Sequence, residues 1–129
     1  MRQLPFAPER LLQEMLETPS FSGQEQAIAE LLVRRMSQVP DMHAFRDAAG
    51  NAVGIMGEGP EEIVLLGHMD TAPGAVPVRR EGDLLYGRGS VDAKGPLAAF
   101  IAATAAVGPL PGKRVVVVGA VEEECPTSR

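Results

Sequence analysis

The sequence predicts a three-layer α/β/α sandwich around a mixed, mostly parallel sheet, and three stretches of the chain carry this prediction. Two apolar runs, Ile63–Leu66 and Val115–Val118, are typical of strands buried on both faces inside parallel sheets. Pro96–Val107 lies between them and is predicted to be a helix, because proline stands at its first position and Gly108 follows its last residue. A buried strand, a long helix and a second buried strand form a crossover unit, which is the building block of this architecture.

Length and composition favour a single globular domain. The chain has 129 residues, of which 45% are hydrophobic and 22% are charged, as in ordinary folded domains. The net charge of −5 and the 4% aromatic content argue against nucleic-acid binding, which needs clustered cations or stacking rings. The single cysteine, Cys125, excludes an intrachain disulfide. The N-terminus lacks the pattern of a signal peptide and no apolar stretch has the length of a membrane span, so we expect a cytoplasmic protein.

The N-terminal part of the chain is predicted to be helical. Glu9–Glu17 places apolar residues at helical spacing, and the segment Thr18–Ser20 ends this first helix. A second helix is predicted to open at Ser22, because Glu25 stands three residues later and the pair has the signature of a capping box.

The middle of the chain is predicted to form strands joined by tight turns. Met42–Arg46 and Ala52–Met56 flank a Gly-Asn turn signal and predict a hairpin. Val76–Arg80 and Asp83–Tyr86 predict a second, shorter hairpin. These elements precede and follow the first buried strand.

Three polar loops adjoin the predicted core elements. Gly67–Thr71 follows the first buried strand, Gly87–Pro96 leads into the long helix, and Val121–Cys125 follows the second buried strand. Ligands of open parallel sheets bind outside the carboxyl ends of the strands, so these loops are expected to share one site. Together they offer a histidine, an isolated aspartate and adjacent glutamates, which is a nitrogen and oxygen ligand set that suits Zn²⁺ or a similar divalent ion.

The spacing of individual residues supports a metal site. His68 and Asp70 are two apart and project to the same face of an extended chain, as a ligand and its orienting carboxylate would. Asp92 can bridge two cations through its two oxygens. Glu122–Glu124 places three carboxylates side by side, which repel one another unless cations or protons compensate.

Other interpretations of these residues stay open. A lone histidine is more often a structural residue, and a run of acids is usually a solvated surface. The Gly87–Pro96 loop is a weak candidate for a phosphate loop, because it lacks the third glycine of the dinucleotide fingerprint and no Gly-Lys-Ser/Thr follows. His43 lies in a predicted peripheral strand and matches no motif.

The three loops resemble the motifs of the M20 peptidase family of metal-dependent amidohydrolases. The family's His-x-Asp-Thr is similar to His68–Thr71, its Gly-Arg-Gly-x-x-Asp-x-Lys-Gly is similar to Gly87–Gly95, and its strand with paired glutamates is similar to Val115–Glu124. The chain looks most like the branch that hydrolyses lysine or ornithine from an amino-group carrier protein in lysine biosynthesis. The resemblance implies a fold of the zinc-exopeptidase type.

The resemblance also implies a role for each site residue. His68 is similar to the ligand of one metal and Asp70 to the acid that orients it. Asp92 is similar to the carboxylate that bridges both metals, Glu123 to the general base and Glu124 to a metal ligand. The implied cofactor is Zn²⁺, two ions per complete site, with Co²⁺ as an alternative.

The register of the acidic run stays open at this point. A shift by one residue would make Glu122 the base and Glu123 the ligand. Residues 1–129 resemble the N-terminal part of the family's catalytic domain, without the lid domain, a further acidic ligand and a second histidine. We therefore expect weak metal binding and little or no turnover from this chain alone.

The implied function is release of an amino acid such as lysine or ornithine from an N-acyl or carrier-protein-linked precursor. A homodimer is expected for the complete family enzyme, and neither nucleic acid nor a membrane is expected as a partner. Three alternatives stay open: a dipeptidase or carboxypeptidase of the same family, a non-catalytic cation-binding module, and a nucleotide-binding α/β domain.

Overall fold

In the computed structural model, residues 1–125 are described, and they form a mixed four-stranded sheet, a separate two-stranded sheet and three helices. Residues 126–129 lie outside the described residues. The elements in chain order are α1 (Pro8–Leu16), α2 (Gln26–Ser37), β1 (Met42–Arg46), β2 (Ala52–Met56), β3 (Glu61–His68), β4 (Arg79–Glu81), β5 (Leu84–Tyr86), α3 (Lys94–Val107) and β6 (Lys113–Ala120). None of the helices in this part of the chain has the length and apolar character needed to cross a membrane.

The four-stranded sheet has the order β1-β2-β6-β3 and confirms the mixed α/β architecture. β1 and β2 form the predicted antiparallel hairpin, and β4 and β5 form the predicted short one. β3 and β6 lie side by side in parallel, joined through α3 as the crossover prediction requires. β2 runs antiparallel to β6, so among the described strands the parallel share is smaller than predicted.

One face of the sheet is packed against helices. Met36 of α2 lies over Gly54, where an added Cβ would come within 2.6 Å of its sulfur, and Met69 and Leu97 lie over Gly119 in the same way. A glycine at each of these positions lets the covering side chains approach the strand closely. The core on this face includes the following fully buried side chains: Leu11, Met15, Ile28, Leu32, Met56, Ile101 and Val117.

The prediction that the first apolar run is buried on both faces is wrong. Among the strands of residues 1–125, β3 lies at the edge of the sheet, and Val64 and Leu66 are 52% and 65% exposed. Within residues 1–125, α2 and α3 lie against the opposite face of the sheet and α1 packs on α3. The described residues thus supply the sheet and one helical layer of the sandwich. An apolar run predicts strand conformation, but it does not determine which faces are covered.

Two helix starts also differ from the predictions. α2 begins at Gln26 rather than after Ser22, and no side-chain hydrogen bond caps it, so the predicted capping box is wrong. α3 begins at Lys94, two residues before Pro96. Proline is tolerated there because the first four backbone N–H groups of a helix have no intrahelical acceptor.

Candidate metal centre

The parallel pairing of β3 and β6 brings two of the polar loops together. His68 is the last residue of β3, and its register partner is Ala120 at the end of β6. The chain therefore enters both loops at the same edge of the sheet. The loop before α3 reaches this edge as well, because the Nε2 atom of His68 lies 3.1 Å from Oδ1 of Asp92.

Three carboxylates surround Nε2 of His68. Besides the Asp92 oxygen, Oε2 of Glu123 lies 3.4 Å away and Oε1 of Glu124 lies 3.9 Å away. One ligand atom each from His68, Asp92 and Glu124 lies within 4.8 Å of the others. A ring nitrogen and carboxylate oxygens at these separations are the donors that a divalent ion such as Zn²⁺ takes, so the residues present fit a metal. The structure thus brings together all three loops that the sequence singled out.

The titration behaviour of the cluster reflects its crowded charges. Burial alone would lower the pKa of His68, but hydrogen bonds from its ring to the Asp70 carbonyl and to Asp92, with the charge of Glu123, raise that pKa above its usual value. Desolvation and the neighbouring charges of Asp92 and Glu123 raise the pKa of Glu124. A cation at the centre of the cluster would relieve the repulsion that now favours protonation.

Asp70 contacts the acidic loop as well as the histidine. Its buried carboxylate accepts hydrogen bonds from the hydroxyl of Ser22 at 2.6 Å and from the backbone N–H groups of Glu123 and Glu124 at 3.1 and 2.9 Å. Burial would raise the pKa of Asp70, but these donors hold it below its usual value. The Nδ1 atom of His68 lies closer to the backbone carbonyl oxygen of Asp70, at 2.9 Å, than to its carboxylate, at 3.3 Å.

Glu122 differs from the two glutamates that follow it in its backbone and its hydrogen bond. Its backbone has a φ of 56°, in the left-handed region, and its N–H donates to Oε2 of Glu25 at 2.7 Å. The carboxylate contacts of His68 come from Glu123 and Glu124 instead. This geometry favours the register in which Glu124 is the ligand over the register shifted by one residue.

The loop before α3 is built for packing rather than for phosphate binding. The Nζ atom of Lys94 is buried and donates to the carbonyl oxygens of Met15 and Thr18, at 2.8 and 3.0 Å. Burial lowers the pKa of Lys94 to about 8. The lysine that would have to meet a phosphate is thus engaged with the end of α1, which argues against the nucleotide-binding interpretation.

Sequence reasoning missed the roles of Ser22, Glu25 and Lys94. Ser22 and Glu25 have the spacing of a capping box, but their side chains contact Asp70 and the Glu122 amide. In the sequence, the one indication of a role for Lys94 is its position two residues after the candidate ligand Asp92 in the glycine-rich motif. His43 lies on β1 beside Phe45, far along the sheet from the cluster, as predicted for a peripheral residue.

Solved structures share this fold at low sequence identity. A tripeptidase from Staphylococcus aureus superposes with a TM-score of 0.69 at 23% identity, over 92% of this chain and 37% of its own. A dinuclear metal-binding peptidase of the M20 family from Bacillus subtilis superposes with a TM-score of 0.59 at 16% identity, over 91% of this chain and 35% of its own. At such identities the similarity supports the fold alone.

Sequence comparison gives closer relatives. The LysW-lysine hydrolase of Deinococcus radiodurans is 51% identical over 126 residues, which are 95% of this chain and 34% of the relative. The LysW-lysine/LysW-ornithine hydrolase of Saccharolobus islandicus is 39% identical over 90 residues, which are 70% of this chain and 22% of the relative. The chain thus spans about a third or less of the length of these relatives. The sequence profile of peptidase family M20/M25/M40 matches residues 64–128, which is half of the chain and includes all three motif loops, so the chain belongs to this family.

Proposed function

We propose that this chain is part of a metal-dependent amidohydrolase that releases lysine or ornithine from an N-acyl or carrier-protein-linked precursor in amino-acid biosynthesis. The observation that carries the proposal is the convergence of three carboxylates from two separate loops on Nε2 of His68. The substrate class is taken from the relatives, which are named LysW-lysine and LysW-ornithine hydrolases.

His68, Asp92 and Glu124 are the residues that would hold the metal. Their donor atoms suit Zn²⁺, with Co²⁺ as an alternative, and Asp92 has a second oxygen with which it could bridge to another ion. A divalent ion bound here would supply a Lewis acid that polarises a carbonyl group and acidifies water. A homodimer and a cytoplasmic location belong to the same proposal.

Glu123 is the proposed general base. Its carboxylate lies beside the candidate ligands but is more exposed than that of Glu124, so it can meet both a water molecule and a substrate. It would accept a proton from the attacking water and pass that proton to the leaving amine. Asp70 fixes the backbone of Glu123 and Glu124 and thereby the direction of both side chains.

Metal binding is the first test of the proposal. The 129-residue chain is titrated with Zn²⁺ and with Co²⁺ in a calorimeter at pH 7.5, alongside the variants His68→Ala and His43→Ala. We expect binding by the unaltered chain and by His43→Ala, and loss of binding in His68→Ala. Equal binding by both histidine variants would show that the ions attach elsewhere and would contradict the proposal.

Amine release is the second test. The chain with added metal is incubated in excess over LysW-lysine, N-acetyl-lysine or a lysine-containing dipeptide, and free lysine is measured by mass spectrometry. We expect slow, metal-dependent release from the carrier-linked or N-acyl substrate, reduced at least about 100-fold in Glu123→Gln. Preference for the dipeptide would favour a dipeptidase. Metal binding without any release would agree with an incomplete site, and the same comparison in a full-length version would then decide between an enzyme and the non-catalytic cation-binding module.

A further inference from the structure

The buried carboxylate of Glu25 accepts a hydrogen bond from the backbone of the loop Val121–Cys125, here called the acidic loop. Glu25 is only 6% exposed although it stands at the start of α2, between exposed neighbours. Its Oε2 atom accepts the N–H of Glu122 at 2.7 Å, across 97 residues of sequence. A buried carboxylate is costly unless donors satisfy it, so this contact is a specific feature of the fold rather than a chance surface pairing.

The contact falls at the residue where the acidic loop changes direction. Glu122 has a φ of 56°, a conformation that costs a residue with a side chain free energy and persists only where the surroundings hold it. After this turn, the next two N–H groups point to the carboxylate of Asp70. Three consecutive amides are thus bound by two buried carboxylates, and the side chains of Glu123 and Glu124 are left to face His68.

The segment that carries Glu25 is also attached to the histidine loop. Ser20 donates its hydroxyl to the Met69 carbonyl oxygen at 2.8 Å and accepts the Thr71 N–H on its own carbonyl at 2.9 Å. Ser22 donates to Asp70. Residues 20–25 therefore contact the loop after β3 and the loop after β6 at once, and they fix the position of one relative to the other.

We propose that Glu25 is a positioning residue that sets the register of the acidic loop, so that Glu123 and Glu124, and not Glu122, present their carboxylates to the metal. The inference rests on the proposed metal-binding function. Glu25 acts through the Glu122 amide, as an outer partner that orients metal ligands, and loss of such a partner commonly weakens metal affinity by about 10- to 100-fold.

The test compares three substitutions on the 129-residue chain. Glu25→Met removes the acceptor but keeps the length of the side chain, whereas Glu25→Gln keeps a carbonyl oxygen that can accept the same N–H. Glu30→Gln removes a charge from the exposed side of α2 and is the matched control. Co²⁺ affinity is measured by calorimetry, and the Glu122 amide is followed in the metal-free chain by its proton chemical shift and its hydrogen-exchange rate.

We expect Glu25→Met to bind Co²⁺ about 10- to 100-fold more weakly, with an upfield shift and faster exchange of the Glu122 amide, while Glu25→Gln and Glu30→Gln stay within about threefold of the unaltered chain. Unchanged affinity in a folded Glu25→Met would overturn the proposal. Should Glu25→Met not fold, the test falls to Glu25→Gln. A loss of Co²⁺ affinity of about 10- to 100-fold in a folded Glu25→Gln would overturn the proposal, because the effect would then come from the lost charge and not from the lost acceptor. Near-normal affinity in Glu25→Gln would support the proposal. Failure of the unaltered chain to bind Co²⁺ would instead overturn the metal centre itself.

Discussion

Two groups of carboxylates meet at the carboxyl edge of the sheet, and their surroundings differ in kind. Asp70 and Glu25 are buried, and backbone N–H groups donate to them. Asp92, Glu123 and Glu124 are more exposed, and their described contacts within residues 1–125 are with one histidine nitrogen. A carboxylate with amide donors is already compensated and serves the fold, whereas one without them, crowded beside other carboxylates, is available to a cation. Both groups contain the same functional group, so the backbone N–H donors distinguish the structural carboxylates from the candidate metal ligands.

The largest effect is expected when a compensated carboxylate is removed. Asp70→Ala leaves the Ser22 hydroxyl and the Glu123 and Glu124 amides without their acceptor in a buried place. We expect the free energy of unfolding of the metal-free chain to fall by about 3 kcal/mol or more, measured by urea denaturation. Asp70→Asn, which keeps one acceptor oxygen, should lose less. A change below about 1 kcal/mol in Asp70→Ala would show that the two groups of carboxylates do not differ as described.

The next effect concerns an uncompensated carboxylate and should leave stability nearly untouched. Asp92 is 76% exposed at its side chain, so we expect Asp92→Ala to change the unfolding free energy by about 0.5 kcal/mol or less. Its affinity for Zn²⁺ should nevertheless fall at least about tenfold, because a ligand is lost. Asp83→Ala, in the exposed turn between β4 and β5, removes the same charge and is the control for calorimetry. Loss of stability without loss of affinity would reverse the assignment of Asp92.

The sequence was sufficient to predict that these residues meet, because their spacing and their place at the ends of strands are both local properties. His68 ends one apolar strand and the acidic run follows another, so parallel pairing alone brings them together. The parallel pair, the crossover helix and both hairpins follow from the same apolar periodicity and turn residues.

What the sequence could not show depends on contacts between distant residues. Ser22 and Glu25 have capping-box spacing, and only the folded chain shows that their partners are Asp70 and the Glu122 amide, roughly 50 and 100 residues away in sequence. The exposure of Leu66 was missed for a similar reason, since an apolar strand looks the same in the centre of a sheet and at its edge.

The pH dependence of stability should have opposite signs in the two groups. Asp70 has a lowered pKa, so its contribution is present above pH 3.8, its usual value, and is lost as the pH falls through the folded-state value. Glu124 has a raised pKa, so its protonated form favours folding below about pH 4.5, and this contribution is lost as the pH rises through the folded-state value. In metal-free urea denaturation, the chain should therefore lose stability relative to Glu124→Gln as the pH rises above about 4.5. A parallel pair of curves would contradict the raised pKa. Saturating Zn²⁺ should reverse the difference, because it stabilises the unaltered chain more than a variant that lacks this ligand.

The smallest effect is expected at a carboxylate that has amide donors but reaches the acidic loop only through another side chain, since Oδ1 of Asn51 accepts the Val121 N–H at 2.9 Å. Asp47, in the turn between β1 and β2, accepts the N–H groups of Ala49 and Asn51 and the side-chain amide of Asn51, at 3.0, 2.9 and 2.9 Å. Although partial burial acts to raise its pKa, these donors lower it below 3.8, so its contribution to stability is present above that pH and fades as the pH falls through the folded-state value. We expect Asp47→Ala to cost about 1 kcal/mol in urea denaturation at pH 7, with Zn²⁺ affinity unchanged. If Asp47→Ala weakened metal binding as strongly as Asp92→Ala, amide donors would no longer separate the carboxylates of the fold from those of the metal centre.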